Sequence, residues 1–573
     1  MACSSVSVVL MCLLTMRVLI SNATGDDVDD FVRPIMTCSN INALSLALVD
    51  IGKNNPYVRE YGIDTKRTST SATGSKIFCI GGATRAFTAV LLAKLLTNHP
   101  NITWDTPIQD IVKDRIDLPY QYLANNLNLK DIFAMRSGLA GLDIVTVAKP
   151  YSVDELIQNL RYAPPVAGFR EKFIYNEVLF SLVEKVLHVL GNDTWQNLIT
   201  DHIFKPLNMM STTFLGPDVY RNPDFVKGVV QHNNKPNDMD ADSYSGLELV
   251  APAASVCTSA ADMVKWLTFL LKGGKTEHNQ VIVEKAALEA TYTAIQSRGT
   301  DADPAVPSYN MSILLHYSRD SNAIGWINGF YTDLPFVSQD GSIPGYQSLA
   351  TIVPSKNLAV YVAFSGDHDV TRYAAKVLLN QMGIDFLTNR SRNTTEICNI
   401  IRSVTEINKK HEKRKSIYRT SAPIPRPLED YVGKYRHYAY GDIHVKRGVD
   451  DNDARDGLIL QYGLAEYTLH TTTNNNTFQL FVRKGGLWYS TSADWYRDNQ
   501  QIFAEFISDS EEQDQKFTCV RIDGFDRHYI PEFSRNARKP QYEKYTEDYR
   551  CSAPVLRAWQ WAIILVITAM SFS

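Results

Sequence analysis

The sequence predicts an α+β chain that closes with a small all-strand domain, and two textures predict it. From Thr37 to about Leu387, helical and strand-like patterns alternate with few low-complexity breaks. From Leu428 to Phe533 the pattern changes to short strands separated by turn clusters such as DDNDARDG and TTNNNT, which suits an antiparallel barrel or sandwich. The chain has 573 residues, 45% of them hydrophobic, 10% aromatic and 21% charged. That is enough apolar material for large cores, and it excludes disorder as the main state.

Taken in order, the chain divides into five stretches. Residues 1–23 carry an apolar run from Val6 to Leu14, too short to span a bilayer, followed by the small-residue site Ser21-Asn22-Ala23. They are expected to be a signal peptide, although the one nearby cation, Arg17, follows the run instead of preceding it. Residues 24–387 form the mixed domain. In it Leu44–Gly52 reads as a strand and Ala83–Leu96 as a helix, with Phe87, Val90, Leu91 and Leu95 spaced as its buried face. Residues 388–427 hold the charge run Lys409–Lys415 and the Pro-rich SAPIPRP, and read as a linker. Residues 428–533 form the strand domain, with strands at Ile443–Val445, Leu458–Leu460, Phe478–Val482 and Ile502–Phe506. Residues 534–573 are a tail ending in the apolar run from Ala558. That run is short against the roughly 20 residues of a membrane span. It follows Cys551-Ser552-Ala553 in the manner of a GPI-attachment signal, with a short spacer; a tail anchor and an unanchored tail are the alternatives.

Charge and cysteine usage narrow the function classes. Lys plus Arg total 58 against 62 Asp plus Glu, a formal charge of -4, so there is no electrostatic footprint for nucleic acid. Loss of the signal would leave Cys38, Cys79, Cys257, Cys398, Cys519 and Cys551 in an oxidising compartment where disulfides persist. Asn-x-Ser/Thr triplets begin at Asn101, Asn192, Asn310, Asn389, Asn393 and Asn475, and in a secreted chain these are expected glycosylation sites. The histidines make no HExxH pattern, no Gly-rich phosphate loop occurs, and the Asp-rich stretches DDVDD and DDNDARD read as solvated loops. No metal and no cofactor are expected.

Six segments carry a family resemblance: FCIGGATRAFTAVLLAKLL, LKDIFAMRSGLAGL, FIYNEVLFSLVEKVL, IFKPLNMMSTTF, VAPAASVCTSAADMVKWLTFLL and QDGSIPGYQSL. In order and spacing, the first two-thirds of the chain resembles serine beta-lactamases and DD-peptidases, in the class C-like, penicillin-binding esterase branch. The last domain, opening LEDYVGKY, resembles the small lipocalin-like barrel appended to that branch. The resemblance implies an antiparallel sheet flanked by helices, a helical subdomain and then a β-barrel. Overall texture is also similar to gigasin-type proteins of mollusc shell matrix.

The family's chemistry needs a Ser-x-x-Lys at a helix N-terminus, a Tyr-x-Asn, and a Lys/His-x-Gly on a strand beside the pocket. On the resemblance, Gly82 stands at the serine position and Arg85 at the lysine position. Glycine offers no oxygen for attack, and a guanidinium with a pKa above 12 is no base near neutrality. Tyr175 is retained, but Glu177 replaces the asparagine, where it could pair with Arg85. Gln339 replaces the cation or imidazole, and Gly341 is retained. No Ser-x-x-Lys occurs anywhere; Thr73–Lys76 and Thr146–Lys149 match only with threonine and lack a pocket context.

The expectation is therefore a secreted, glycosylated pseudoenzyme that serves as an extracellular binding or structural-matrix component. Its partner would be an extracellular ligand or matrix constituent, with anchoring to a membrane through the tail where the tail is a GPI signal. Two other readings stand beside it. One is an esterase or amidase with rearranged groups, using Thr84 or a water activated by Glu177. The other is a membrane-anchored ligand receptor.

Overall fold

The computed structural model describes residues 25–53, 55–62, 74–113, 116–232, 235–298, 317–367, 369–390, 396–411, 420, 422–449, 456–483, 502–508 and 516–537. Its centre is an eight-stranded sheet. The strands are β1 (Ala43–Asp50), β2 (Tyr57–Tyr61), β8 (Gln296–Ser297), β9 (Ser321–Asn322), β10 (Ile327–Tyr331), β11 (Leu334–Ile343), β12 (Tyr346–Val353) and β13 (Leu358–Ser365). They lie in the order β2-β1-β13-β12-β11-β10-β9-β8, and every neighbouring pair is antiparallel. Smaller sheets join β3 (Ile77–Cys79), β7 (Val256–Ser259) and β4 (Thr213–Phe214), and pair β5 (Val229–His232) with β6 (Lys235–Asp238).

The central strands are apolar on both faces because both faces are covered. Leu44, Leu46 and Leu48 of β1 and Val360, Val362 and Phe364 of β13 share a core with the helices Gly25–Ser39 and Val370–Leu387. The alternate residues Ala47, Val49, Tyr361 and Ala363 join the opposite core, which includes the helices Thr84–Leu96 and Ala260–Leu271. Successive strand side chains point to opposite faces, so one run of residues feeds two cores. The helix Thr84–Leu96 corrects one expectation. Phe87, Val90, Leu91 and Leu95 are buried, but so are Ala86, Thr88, Ala89, Leu92, Ala93 and Leu96. The helix sits between the sheet and a helical subdomain, so it has no solvent face.

The segment 388–427, expected to be a linker, contains a helix at Ile397–His411. Ile397, Ile401 and Val404 recur at helical spacing and are buried in the sheet's outer core, and Cys398 is bridged to Cys38 on the first helix. The charged residues Lys409–His411 are the end of this packed helix. A second disulfide joins Cys79 to Cys257, opposite each other across β3 and β7, and Cys519 is disulfide-bonded as well. Among the described residues no helix is long and apolar enough to cross a membrane. The expected signal peptide and the tail beyond 537 lie outside the described residues.

The last part is a closed antiparallel barrel of eight strands. These are β14 (Gly433–His437), β15 (Gly441–Val449), β16 (Asp456–Tyr462), β17 (Ala465–Thr471), β18 (Thr477–Val482), β19 (Ile502–Ile507), β20 (Cys519–Asp523) and β21 (Glu532–Ser534). Closure comes from Arg436 of β14 opposite Ser534 of β21, so the last strand runs past the boundary expected at residue 533. The barrel is docked on the mixed domain through main-chain bonds from Leu464 N to Ala148 O (2.7 Å) and from Ile144 N to Phe525 O (3.2 Å).

His437 lies wholly inside the barrel, its Nδ1 accepting from Ala439 N and its ring among Tyr440, Tyr529 and Phe533. Burial pushes its pKa down to about 3. The unfolded chain titrates this group near 6.5, so between pH 6.5 and 3 the unfolded state binds the extra proton. Barrel stability is therefore expected to fall as pH drops below 6.5, by about 2 kcal/mol at pH 5. Urea midpoints measured from pH 7.5 to 4.5 check this, and His437→Gln should flatten the profile.

Candidate functional site

The cleft lies where the sheet, the helical subdomain and one barrel loop meet. Its floor is the 3-10 turn Gly81–Ala83, which leads into the helix Thr84–Leu96. One wall is β11, where Gly341 runs so close to that floor that a Cβ there would collide with the Ile80 carbonyl. The opposite wall is the stretch Phe173–Glu177 before the helix Phe180–Gly191. The third wall comes from the barrel: the loop between β20 and β21 delivers Arg527 into the cavity.

The residues expected at the family's chemical positions are brought together here, in altered roles. Arg85 Nη1 donates to Glu177 Oε1 at 3.0 Å and reaches the Tyr175 hydroxyl at 3.3 Å. Tyr175 in turn donates to Glu177. The Arg85 and Glu177 side chains are only 12% and 17% exposed, so each supplies the counter-charge that burial of the other requires. The guanidinium lies across the glycine. A Cβ added to Gly82 would stand 2.5 Å from Arg85 Nη2 and 3.1 Å from its Cζ. A side chain at 82 would therefore have to displace the tip of Arg85. Gln339 is buried and turned onto the backbone, its Nε2 donating to Gly325 O and its Oε1 accepting from Asp340 N.

Among the described residues, the side-chain hydroxyls lining the cavity are those of Tyr175, Ser342 and Tyr373. Ser342 Oγ accepts from Gln347 Nε2 at 2.8 Å. The nearest amine in that network is Lys376, which is fully buried and bonded to Asp340 Oδ1, Gln347 Oε1 and Gly341 O. These three acceptors can take up the three donors of an ammonium. Thr84 Oγ1 accepts from Val256 N, deep in the fold and away from the cavity. The two threonine-containing matches also lie elsewhere: Lys76 pairs with Asp224, and Lys149 with Glu248.

Sequence reading missed several residues that define the cavity. Arg298, Arg319, Asn322 and Asp340 line it from β8, β9, β11 and their flanks, and Lys376 reaches Asp340 from the helix beneath the sheet. Asp340 could have been noticed, being a carboxylate beside Gln339 in QDGSIPGY. Arg527 had no such signal, because its place depends on barrel docking. There it stacks 4.4 Å above the Tyr175 ring and pairs with Asp143 at 3.2 Å. The remaining space is about 60 Å³. Among the described residues no cluster of three or more His, Cys, Asp or Glu could hold a metal.

A larger cavity of about 940 Å³ lies apart from these positions, between residues 150–162 and the barrel. Of the triplet asparagines, Asn101, Asn192, Asn389 and Asn475 are exposed, while Asn310 and Asn393 lie outside the described residues.

Comparison with known proteins places these features in context. A family model described as Beta-lactamase matches residues 28–381. Unguisins hydrolase ungD of Aspergillus violaceofuscus is 21% identical over 438 residues, covering 73% of this chain and 75% of that protein. Gigasin-6 of Magallana gigas is 23% identical over 224 residues, covering 38% of this chain and 72% of that protein. Among solved structures, an octameric penicillin-binding protein homologue from Pyrococcus abyssi aligns with a TM-score of 0.51 at 16% identity. That alignment covers 89% of this chain and 100% of the other, and it speaks for the fold alone.

Proposed function

The chain belongs to the beta-lactamase family, and from that premise we propose a secreted, non-catalytic member that acts as an extracellular binding or matrix component. One observation carries the reading. The nucleophile's position is Gly82, and the Arg85 guanidinium, held by Glu177, fills the space where a side chain would stand. Covalent acyl transfer needs an activated nucleophile with a base in reach. The serine position has neither. Disulfides support the extracellular setting, and similarity to Gigasin-6 of Magallana gigas agrees with the gigasin-type resemblance from which the matrix role, including shell matrix, is proposed. A tail that acts as a GPI signal would hold the same protein at a membrane surface, and phospholipase release would reveal it.

A second reading, a rearranged hydrolase, is favoured by the name of the relative Unguisins hydrolase ungD. Its nucleophile would be a cavity hydroxyl such as Ser342.

One experiment separates the two. The purified protein is incubated with a fluorophosphonate and with a beta-lactam, and its intact mass is measured. No adduct is expected, nor hydrolysis of chromogenic lactams or short esters above background. Gly82→Ser alone should stay inert, because the guanidinium of Arg85 is no base near neutrality. Adding Arg85→Lys should give at most weak turnover. Acylation should rise only when Glu177→Asn and Gln339→Lys complete the set, since groups that act as a unit are not additive. An adduct on the unaltered protein, mapped to Ser342, would establish the hydrolase instead.

A further inference from the structure

We propose that the cavity of about 940 Å³ between residues 150–162 and the barrel is a binding site for a neutral oligosaccharide. Gln158 and Asn159 would hold it from the mixed domain and Gln461 from the barrel, against Tyr151, Tyr162 and Tyr438. The site is separate from the cleft at Gly82, so the proposal does not depend on whether that cleft is catalytic.

Size and lining set aside the other common ligand classes. The cavity stands at the upper end of the about 300–1,000 Å³ of ordinary ligand pockets, which form preferentially at domain junctions. Such pockets are mostly apolar, yet among the described residues no Leu, Ile, Val, Met or Phe side chain lines this one. A lipid would find only tyrosine rings and Pro150 to bury against, and an extended peptide no apolar pockets for alternate side chains. Histidines apart, the charged side chains in the lining are Glu155, Arg161, Arg436 and Asp442, two of each sign. Each is already partnered. Arg436 forks onto Asp442 at 2.6 and 2.8 Å, and Arg161 pairs with Asp117. Glu155 accepts from Ser152 N at 2.9 Å and from Ser152 Oγ at 2.8 Å. A phosphate, sulfate or uronate therefore meets no surplus charge of opposite sign.

What remains is carboxamides and phenol rings. A carboxamide both donates and accepts, as a sugar hydroxyl does from a single oxygen. Gln158 and Gln461 are exposed and line the cavity from opposite domains. Gln461 Oε1 accepts from Lys446 Nζ at 3.1 Å, which leaves its NH2 group to donate. The rings of Tyr162 and Tyr438 lie 5.1 Å apart, tilted by 43°. A tyrosine has an apolar body and a polar tip, which suits a sugar ring with C–H faces and a hydroxyl edge. The cavity is also preformed. Tyr151 donates its hydroxyl to Tyr438 O at 3.1 Å, tying the mixed domain to the β14–β15 turn. Gly441 at the end of that turn has a φ of +94°, and a Cβ there would stand 3.1 Å from Tyr151 Oη. At Gly463, in the β16–β17 turn, a Cβ would collide with the Ala148 carbonyl. These close approaches fix the walls before a ligand arrives, so less ordering is lost on binding.

The test titrates the purified full chain by calorimetry with cellotetraose, N-acetylchitotetraose and maltotetraose. A hyaluronan tetrasaccharide is the acidic comparison, and acetyl-tetraalanine amide the peptide comparison. Saturable one-site binding of at least one neutral tetrasaccharide is expected. Tyr438→Leu should weaken it about tenfold and Tyr438→Phe little, which separates the ring from its hydroxyl. Gln158→Ala and Gln461→Ala, both at exposed positions, should each weaken it about threefold or more, with urea midpoints unchanged. The proposal is overturned if no neutral tetrasaccharide binds saturably, or if Gln158→Ala and Gln461→Ala both bind as the unaltered protein does. Tighter binding of the hyaluronan or the peptide than of every neutral sugar would overturn it as well. A fluorophosphonate adduct concerns the cleft alone, so failure there and failure here are told apart.

Discussion

Asp340→Ala is expected to destabilise the mixed domain by about 3–5 kcal/mol, the range for removing one partner from a buried ion pair. The side chain of Asp340 is 14% exposed, and it sits between Arg319 at 9% and Lys376 at 0%. Its removal leaves two cations close together in a poorly solvated space. Lys376 keeps the neutral oxygens of Gln347 and Gly341. Desolvating an ammonium without a counter-charge is the expensive part, and the attraction it loses is strongest where water is excluded. Urea unfolding followed by tryptophan fluorescence reads the loss as a lower midpoint. The triple variant Asp340→Leu with Lys376→Met and Arg319→Met should recover much of it, because an apolar set of similar volume carries no desolvation cost. A cost below about 1 kcal/mol for Asp340→Ala would mean that the triad does not tie β11 to the helix Val370–Leu387.

Asp526→Ala is expected to undock the barrel loop from the cleft, at about 2–6 kcal/mol if each of two buried donors loses its acceptor at about 1–3. Asp526 Oδ2 accepts from Leu142 N at 2.7 Å and from the Tyr440 hydroxyl at 2.8 Å, one on each side of the domain junction. Its Oδ1 accepts from His528 N at 2.9 Å and shapes the turn that aims Arg527. Without the carboxylate, Arg527 loses its fixed approach to Tyr175 and Asp143. Limited proteolysis should then cut within residues 524–531, where the unaltered protein resists, and the urea midpoint should fall. Asp526→Asn keeps an acceptor oxygen and should lose less. Unchanged cleavage and midpoint in Asp526→Ala would show that the loop is held by other contacts.

These two variants also mark where sequence reading stopped. The chain's order of elements was legible, since strand and helix periods such as Leu44–Gly52 and Ala83–Leu96 are local properties. Residue identity also carried the expectation that, on the family resemblance, Gly82 and Arg85 stand at the serine and lysine positions. The pairing of Arg85 with Glu177 followed from the need of one buried charge for another. The linker reading of residues 388–427 missed the helix Ile397–His411 for a physical reason. A charge run is solvated whether it lies in a coil or at the end of a helix, so Lys409–Lys415 could not disclose that Ile397, Ile401 and Val404 pack on the sheet.

By itself, then, the sequence determined the kind of chain this is: an α+β domain and a strand domain, with Gly82 and Arg85 at the head of a buried helix. Those features depend on local periodicity and on what each side chain can chemically do. Tertiary structure alone decided what the cleft became. Arg298 and Arg319 flank the paired strands β8 and β9 while Arg527 comes from the barrel, and only strand pairing and barrel docking set them around one cavity. Convergence of this kind depends on long-range packing, and the spacing of residues along the chain does not encode it.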